Sequence, residues 1–116
     1  MAGFGREERI RRRAEFKRVY EGGTRIHGRY LTMFLLPSER RVGRLGIAAT
    51  KKLGGAVQRN RAKRLIREVF RRNKIAVGYD VVVVPKRQLL DASLAALETE
   101  YRRSFERSLR RRPESA

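Results

Sequence analysis

The clearest pattern of apolar and polar positions in the chain lies between Ala56 and Arg72. Ala62, Leu65, Ile66, Val69 and Phe70 recur at i, i+3, i+4, i+7 and i+8, the spacing of an apolar stripe along one side of a helix. At roughly 100° per residue, Asn60, Arg64, Arg67 and Arg71 fall together on the opposite side. The pattern predicts a helix over about residues 56–73 that packs by one face. Seven Lys/Arg stand between Arg59 and Arg72 against one acid, Glu68, so the other face is a dense row of cations. That is the form of a polyanion-binding helix.

Shorter patterns fill the rest of the chain. Phe16, Val19 and Tyr20 at i, i+3 and i+4 predict a short helix over 14–21 with both aromatics on one face, ended by Gly22-Gly23. Residues 30–36 read as a strand, stopped by Pro37 and the polar turn Ser38-Glu39-Arg40. Leu45, Ile47 and Ala49 alternate with Arg44, Gly46 and Ala48, a period of two that predicts a strand over 44–50. A shorter strand at 26–29 completes a three-stranded meander. The unbroken valine run at 81–84, introduced by Gly78 and closed by Pro85, is typical of a strand covered on both faces and often parallel. Asp91 or Ser93 can cap a last helix whose apolar stripe is Leu94, Leu97, Tyr101 and Phe105. The order is α-β-β-β-α-β-α, an α+β sandwich. With no internal repeat and no interdomain linker, residues 1–116 are expected to form one domain, with flexible basic ends at about 1–8 and 110–116.

Composition narrows what such a domain does. The chain of 116 residues has 30 Lys/Arg against 12 Asp/Glu, a formal net charge of +18. Self-repulsion of that size destabilises a compact state and is relieved by a polyanionic partner. Arginine-rich thermophilic surfaces tend instead to balance both signs in ion-pair networks. The hydrophobic fraction of 41% argues for a folded core. There is no cysteine, hence no disulfide framework or thiolate metal site. No apolar run approaches the ~20 residues of a membrane-spanning helix, and the start of the chain lacks a signal-peptide core. A cytoplasmic protein with no membrane partner is expected. No helix-turn-helix or dimer pattern accompanies the basic helix, so no DNA partner is expected either.

Candidate chemistry is that of binding. The loop 51–55, Lys51-Lys52-Leu53-Gly54-Gly55, leads into the basic helix and can cradle a phosphate at its N-terminus, or serve as an ordinary connector; it lacks the spacing of a nucleotide-binding P-loop. Phe16 and Tyr20 are either core residues or a stacking platform for unpaired bases, flanked by Lys17 and Arg18 and extended by Phe34. Catalytic constellations are missing. His27 is the only histidine, which excludes a two-histidine ribonuclease, and the acids are scattered where a metal-dependent nuclease needs them clustered.

The run Gly-Ile-Ala-Ala-Thr-Lys-Lys-Leu-Gly-Gly-Ala-Val-Gln-Arg-Asn-Arg-Ala-Lys-Arg-Leu-Ile-Arg-Glu, residues 46–68, strongly resembles the signature of the bacterial ribonuclease P protein subunit. The segment Arg13-Ala14-Glu15-Phe16-Lys17-Arg18-Val19-Tyr20-Glu21-Gly22-Gly23 is similar to that family's first helix, and the strand at 80–85 lies where the family has its last strand. The resemblance implies that an RNA subunit is the catalyst, removing the 5′ leader of precursor tRNA with Mg²⁺ bound mainly by that RNA, and that the protein carries no catalytic residue. Lys51, Lys52, Arg59, Asn60, Arg61, Lys63, Arg64 and Arg67 would face the catalytic RNA. Phe16, Lys17, Tyr20 and Phe34 would line a cleft for the single-stranded leader. The family's βαβ crossover is left-handed, against a general rule of about 98% right-handed connections. Two positions depart from the family: Gly55 stands where Asn is usual, and Thr50 supplies the hydroxyl beside Lys51 where Ser is usual. The rival reading is a structural RNA-binding protein of ribosomal type, equally basic and cysteine-free.

Overall fold

The computed structural model describes residues 6–111. Helix α1 spans Arg13–Gly22, and three strands follow: β1 (Thr24–His27), β2 (Leu31–Pro37) and β3 (Arg44–Ile47). Helix α2 is Ala56–Arg72, strand β4 is Tyr79–Pro85 and helix α3 is Leu94–Arg110. The expected order αβββαβα is the order observed. Short 3₁₀ turns at Arg6–Glu8, Lys51–Leu53 and Arg87–Asp91 have no periodic signature in the sequence.

The sheet is mixed, in the order β1-β2-β4-β3. β2 pairs antiparallel with β1 and β4, while β3 runs parallel to β4. β4 is therefore an interior strand, which is why its valines form an unbroken run: Val81, Val82 and Val83 are all buried. One sheet face presents Met33, Leu35, Leu45, Val81 and Val83 to the stripe Ala62, Ile66, Val69 and Phe70 of α2 and to Leu97, Tyr101 and Phe105 of α3. The other face presents Phe34, Leu36 and Val82 to Phe16 and Val19 of α1 and to Ile10. Each fully buried aliphatic or Phe side chain contributes about 1.5–3 kcal/mol relative to an exposed one. α1 thus lies on the face opposite α2 and α3.

Local chemistry accounts for the boundaries. β1 sits two residues earlier than its pattern predicts, because Gly28–Tyr30 are taken up by the turn: Gly28 N donates to Leu31 O at 2.9 Å. The Glu100 carboxylate of α3 accepts from Arg29 N, Tyr30 N and Leu31 N at 2.8, 2.8 and 2.9 Å, clamping that turn. β3 ends at Ile47 rather than at residue 50, since the chain must leave the sheet to enter the Lys51–Leu53 turn. Of the two candidate caps for α3, Ser93 is the one used, its Oγ accepting from Ala96 N at 3.1 Å. Residues 9 and 10 lie along the outer edge of β3: Arg9 bridges to Leu45 and Ile10 N donates to Leu45 O at 2.9 Å. Among the residues expected to be loose ends, 1–5 and 112–116 lie outside the described residues, while Glu8 accepts from the Lys74 ammonium.

The alternation in β3 has a different meaning from a strand with one wet face. Arg44, on the α1 side, is only 5% exposed. Its guanidinium donates from Nε and Nη2 to the two Asp80 carboxylate oxygens at 2.9 and 2.8 Å, and from Nη1 to Glu15 Oε2 at 2.8 Å. A buried charge needs such partners. The trio ties the first turn of α1 to two adjacent parallel strands.

Candidate nucleic-acid interface

Helix α2 turns its cations outward because its apolar stripe is committed to the sheet. Asn60, Arg61, Arg64 and Arg67 are exposed, and Arg59 and Lys63 are half-buried. Asn60, Arg64, Arg67, Glu68 and Arg71 line a shallow groove on the outer face. Its one acid is occupied: Arg71 Nε donates to Glu68 Oε1 at 3.1 Å, and that contact holds the Glu68 carboxyl below the usual carboxylate range. Among the described residues, no carboxylate pairs with Lys51, Lys52, Arg59, Arg61, Lys63, Arg64 or Arg67. Seven uncompensated cations on one helix and its lead-in form the electrostatic footprint of a polyanion site. The lead-in is shaped by Gly54, whose φ of 128° strains any other residue. Lys51 and Lys52 stand exposed on the turn, and no side chain caps the first N–H groups of α2, which leaves them open to an anion.

The second feature is aromatic. Tyr20 stands between Phe16 and Phe34, with ring centroids at 6.4 and 4.9 Å, the latter edge-on. Tyr20 is 39% exposed, and Phe16 and Phe34 are half-buried. Phe16 and Phe34 pack against the small core of Ile10, Val19 and Val82 while Tyr20 stays open to solvent. Lys17 is exposed beside it on α1. Gly46 makes the arrangement possible, since a Cβ there would lie 2.8 Å from the Phe16 ring. A glycine inside a strand pattern signals such a close approach. The position of α1 follows from Glu15, whose carboxyl is held down chiefly by its hydrogen bond from Arg44.

The structure brings the two features together. One groove is lined by Arg9, Arg11, Phe16 and Ile47 together with Lys63 and Arg67 of α2. The inner edge of the basic helix and the aromatic surface therefore share a continuous wall, with two arginines of the N-terminal segment on its other side. Sequence reasoning treated the surfaces as separate and did not find Arg9, Arg11 or Arg25. The Arg25 guanidinium lies 5.9 Å from the Phe34 ring centroid, a cation–π contact. Its place on the same sheet face as Phe34 follows from the β1–β2 register, which pairs Arg25 with Phe34. No cluster of three or more His, Asp or Glu side chains able to hold a metal ion occurs among the described residues. No helix among them is long and apolar enough to cross a membrane.

Comparison with known proteins gives this geometry a family. The Ribonuclease P family model matches residues 4–109. The ribonuclease P protein component of Caldanaerobacter subterraneus subsp. tengcongensis is 36% identical over 107 residues, covering 90% of this chain and 89% of that protein. The component from Clostridioides difficile is 32% identical over 108 residues, covering 90% and 95%. Among solved structures, the RNase P protein from Thermotoga maritima superposes with a TM-score of 0.77 at 31% identity, covering 86% of this chain and 96% of that one. The Staphylococcus aureus RNase P protein gives a TM-score of 0.75 at 31% identity, covering 85% and 93%. The α+β sandwich, the mixed sheet, the outward cations of α2 and these matches over nearly the whole length agree: the chain belongs to the bacterial ribonuclease P protein component family.

Proposed function

We propose that this chain holds a catalytic RNA by the cationic face of α2 and grips the single-stranded 5′ leader of precursor tRNA at the aromatic surface. Family membership makes it a subunit of the ribonuclease P ribonucleoprotein endonuclease, an RNA-binding component of tRNA processing. Within that assembly, Lys51, Lys52, Arg59, Asn60, Arg61, Lys63, Arg64 and Arg67 contact the RNA subunit. Phe16, Tyr20 and Phe34 stack leader bases, and Lys17 neutralises a leader phosphate. The observation that carries the reading is the shared groove, in which Phe16 faces Lys63 and Arg67 across one wall. A strand leaving the catalytic RNA there passes from phosphate contacts onto aromatic faces without crossing an acidic surface. A ribosomal-type scaffold has no use for an open aromatic trio.

The protein supplies position and charge rather than bond-breaking. The cleavage uses Mg²⁺ held mainly by RNA. The carboxylates near the site do not suit an oxygen-ligand cage, because Glu15 and Asp80 are bound to Arg44 and Glu68 to Arg71. The setting is the cytoplasm. The test is reconstitution: the chain is added to a bacterial ribonuclease P RNA and precursor tRNA at low Mg²⁺, and leader release is measured. A rate increase supports the reading, and no increase at saturating protein rejects it.

A further inference from the structure

We propose that the β1 end of the α1-side sheet face, built around His27 with Arg25, Lys86 and Arg111, is a phosphodiester subsite whose imidazole takes up a proton when a nucleic-acid strand binds. The inference rests on the reading that the adjacent aromatic surface takes a single strand, and it extends that surface by one position.

The sheet register places the group. Arg25 lies opposite Phe34 and His27 opposite Thr32, so both side chains of β1 emerge on the face that carries the aromatic trio. The Arg25 guanidinium lies over the Phe34 ring at 5.9 Å, and His27 follows two residues along the strand, ~6.8 Å away. From the other side, Arg111 Nη1 donates to Arg25 O at 3.2 Å and Arg107 Nη1 to His27 O at 3.3 Å. Arg107 stands in the last turn of α3 and Arg111 just beyond its end, where the backbone is extended, and the two reach alternate carbonyls of β1. Lys86, just beyond β4, donates to Gly28 O. Arg25, Lys86 and Arg111 are thereby held near enough to act on one exposed imidazole.

The charges around His27 are of one sign. Arg25 on β1, Lys86 after β4 and Arg111 just after α3 all disfavour its protonation, Arg25 most, and no carboxylate offsets them. β2 contributes only the Thr32 hydroxyl, 3.2 Å from Nδ1. The acid that α3 brings to this end, Glu100, is spent on three backbone N–H groups of the turn. In the free protein the imidazole is therefore held below its ordinary value and is neutral at pH 7. Nε2 has no protein partner among the described residues. A phosphate oxygen arriving among these cations offsets part of their field and gives the ring an anionic acceptor, which favours its charged, donating form.

Linkage sets the sign. If binding raises the imidazole pKa, affinity increases as pH falls through the bound-state value and levels off below the free-state value. A rise of one unit corresponds to about tenfold. His27 is the only histidine; the α-amino group also titrates toward the upper end of pH 5.5 to 8, and the His27→Gln variant separates the two. The experiment follows binding of a fluorescent single-stranded uridine oligonucleotide, whose bases do not titrate in this range, to the full chain at fixed ionic strength. The His27 ring protons are followed by NMR in the free and bound protein. The expected result is roughly tenfold tighter binding at pH 5.5 than at pH 8, a flat profile for His27→Gln, and a His27 titration displaced upward by the oligonucleotide. An unchanged His27 titration, or a His27→Gln profile as steep as the parent's, overturns the subsite. If binding remains sensitive to Phe16→Ala in that case, the single-strand reading survives without it. If the oligonucleotide fails to bind at any pH, both fall.

Discussion

Tyr101 carries its hydroxyl into the core, where it is buried without a hydrogen-bond partner among the described residues; burial pushes its phenol well above the ordinary value. The ring itself is well used, edge-on to Phe70 with centroids 6.4 Å apart. An unsatisfied buried polar atom costs about 1–3 kcal/mol, so Tyr101→Phe is expected to stabilise the protein by up to that amount. Thermal unfolding would show a midpoint raised by about 4 °C per kcal/mol; a lowered midpoint would reveal a partner for the hydroxyl. Tyr101 was legible in the sequence as an apolar-stripe position, but the isolation of its oxygen was not, because it depends on what four other elements place around it. Phe16 and Tyr20 show the converse. Their i, i+4 spacing favours core but leaves a stacking platform open, and the structure leaves both partly exposed beside Phe34. Replacing either with Ala should weaken binding of a single-stranded oligonucleotide by about 1–3 kcal/mol per lost stack while barely altering the unfolding midpoint. A large fall in stability with unchanged affinity would mark them as core residues.

Among the elements, α1 and α2 are held to the sheet by different means, and they should fail differently. α2 is fixed by its apolar stripe, and its cations Arg59, Arg61, Lys63, Arg64 and Arg67 have no carboxylate partner among the described residues. Arg64→Ala and Arg67→Ala should each reduce the slope of log affinity against log salt for ribonuclease P RNA by about one, with helicity by circular dichroism unchanged. An unaltered slope would remove these residues from phosphate contact. α1 is short, and to the apolar contact of Val19 and Phe16 it adds Glu15 meeting Arg44, with Asp80 beneath. A carboxyl depressed in the folded state contributes stability that is present above its unfolded value of about 4.3 and is lost as pH falls through the folded value. Amide exchange of α1 should accordingly rise below about pH 4 ahead of α2, and Glu15→Gln should remove that pH dependence. Simultaneous loosening of both helices would contradict the assignment. The periodicity of α2 made it readable from local sequence alone. The hold on α1 was not, since Arg44 and Asp80 stand 36 residues apart and meet only because the parallel β3–β4 register pairs them.

For the molecule as a whole, +18 net charge on a domain with a radius of gyration of 13.2 Å means that many like charges lie within a Debye length of one another, about 10 Å at 0.1 M salt. Raising ionic strength from low salt should therefore raise the unfolding midpoint of the free protein, and binding its RNA should do so further. A midpoint that falls between 0.02 and 0.2 M sodium chloride, roughly spanning the onset of screening, would show that surface ion pairs outweigh the repulsion. By itself the sequence determined the amphipathic basic helix, the buried valine strand, the order of elements, the excess of cations and the family, since each is written in neighbouring residues or in composition. The tertiary structure alone decided which charges are buried together, that Phe16 shares a wall with Lys63 and Arg67, and that Arg107 and Arg111 reach the β1 carbonyls 80 and 86 residues away. Periodicity records how a side chain faces its own element. Register and packing across distant strands and helices decide what it faces next.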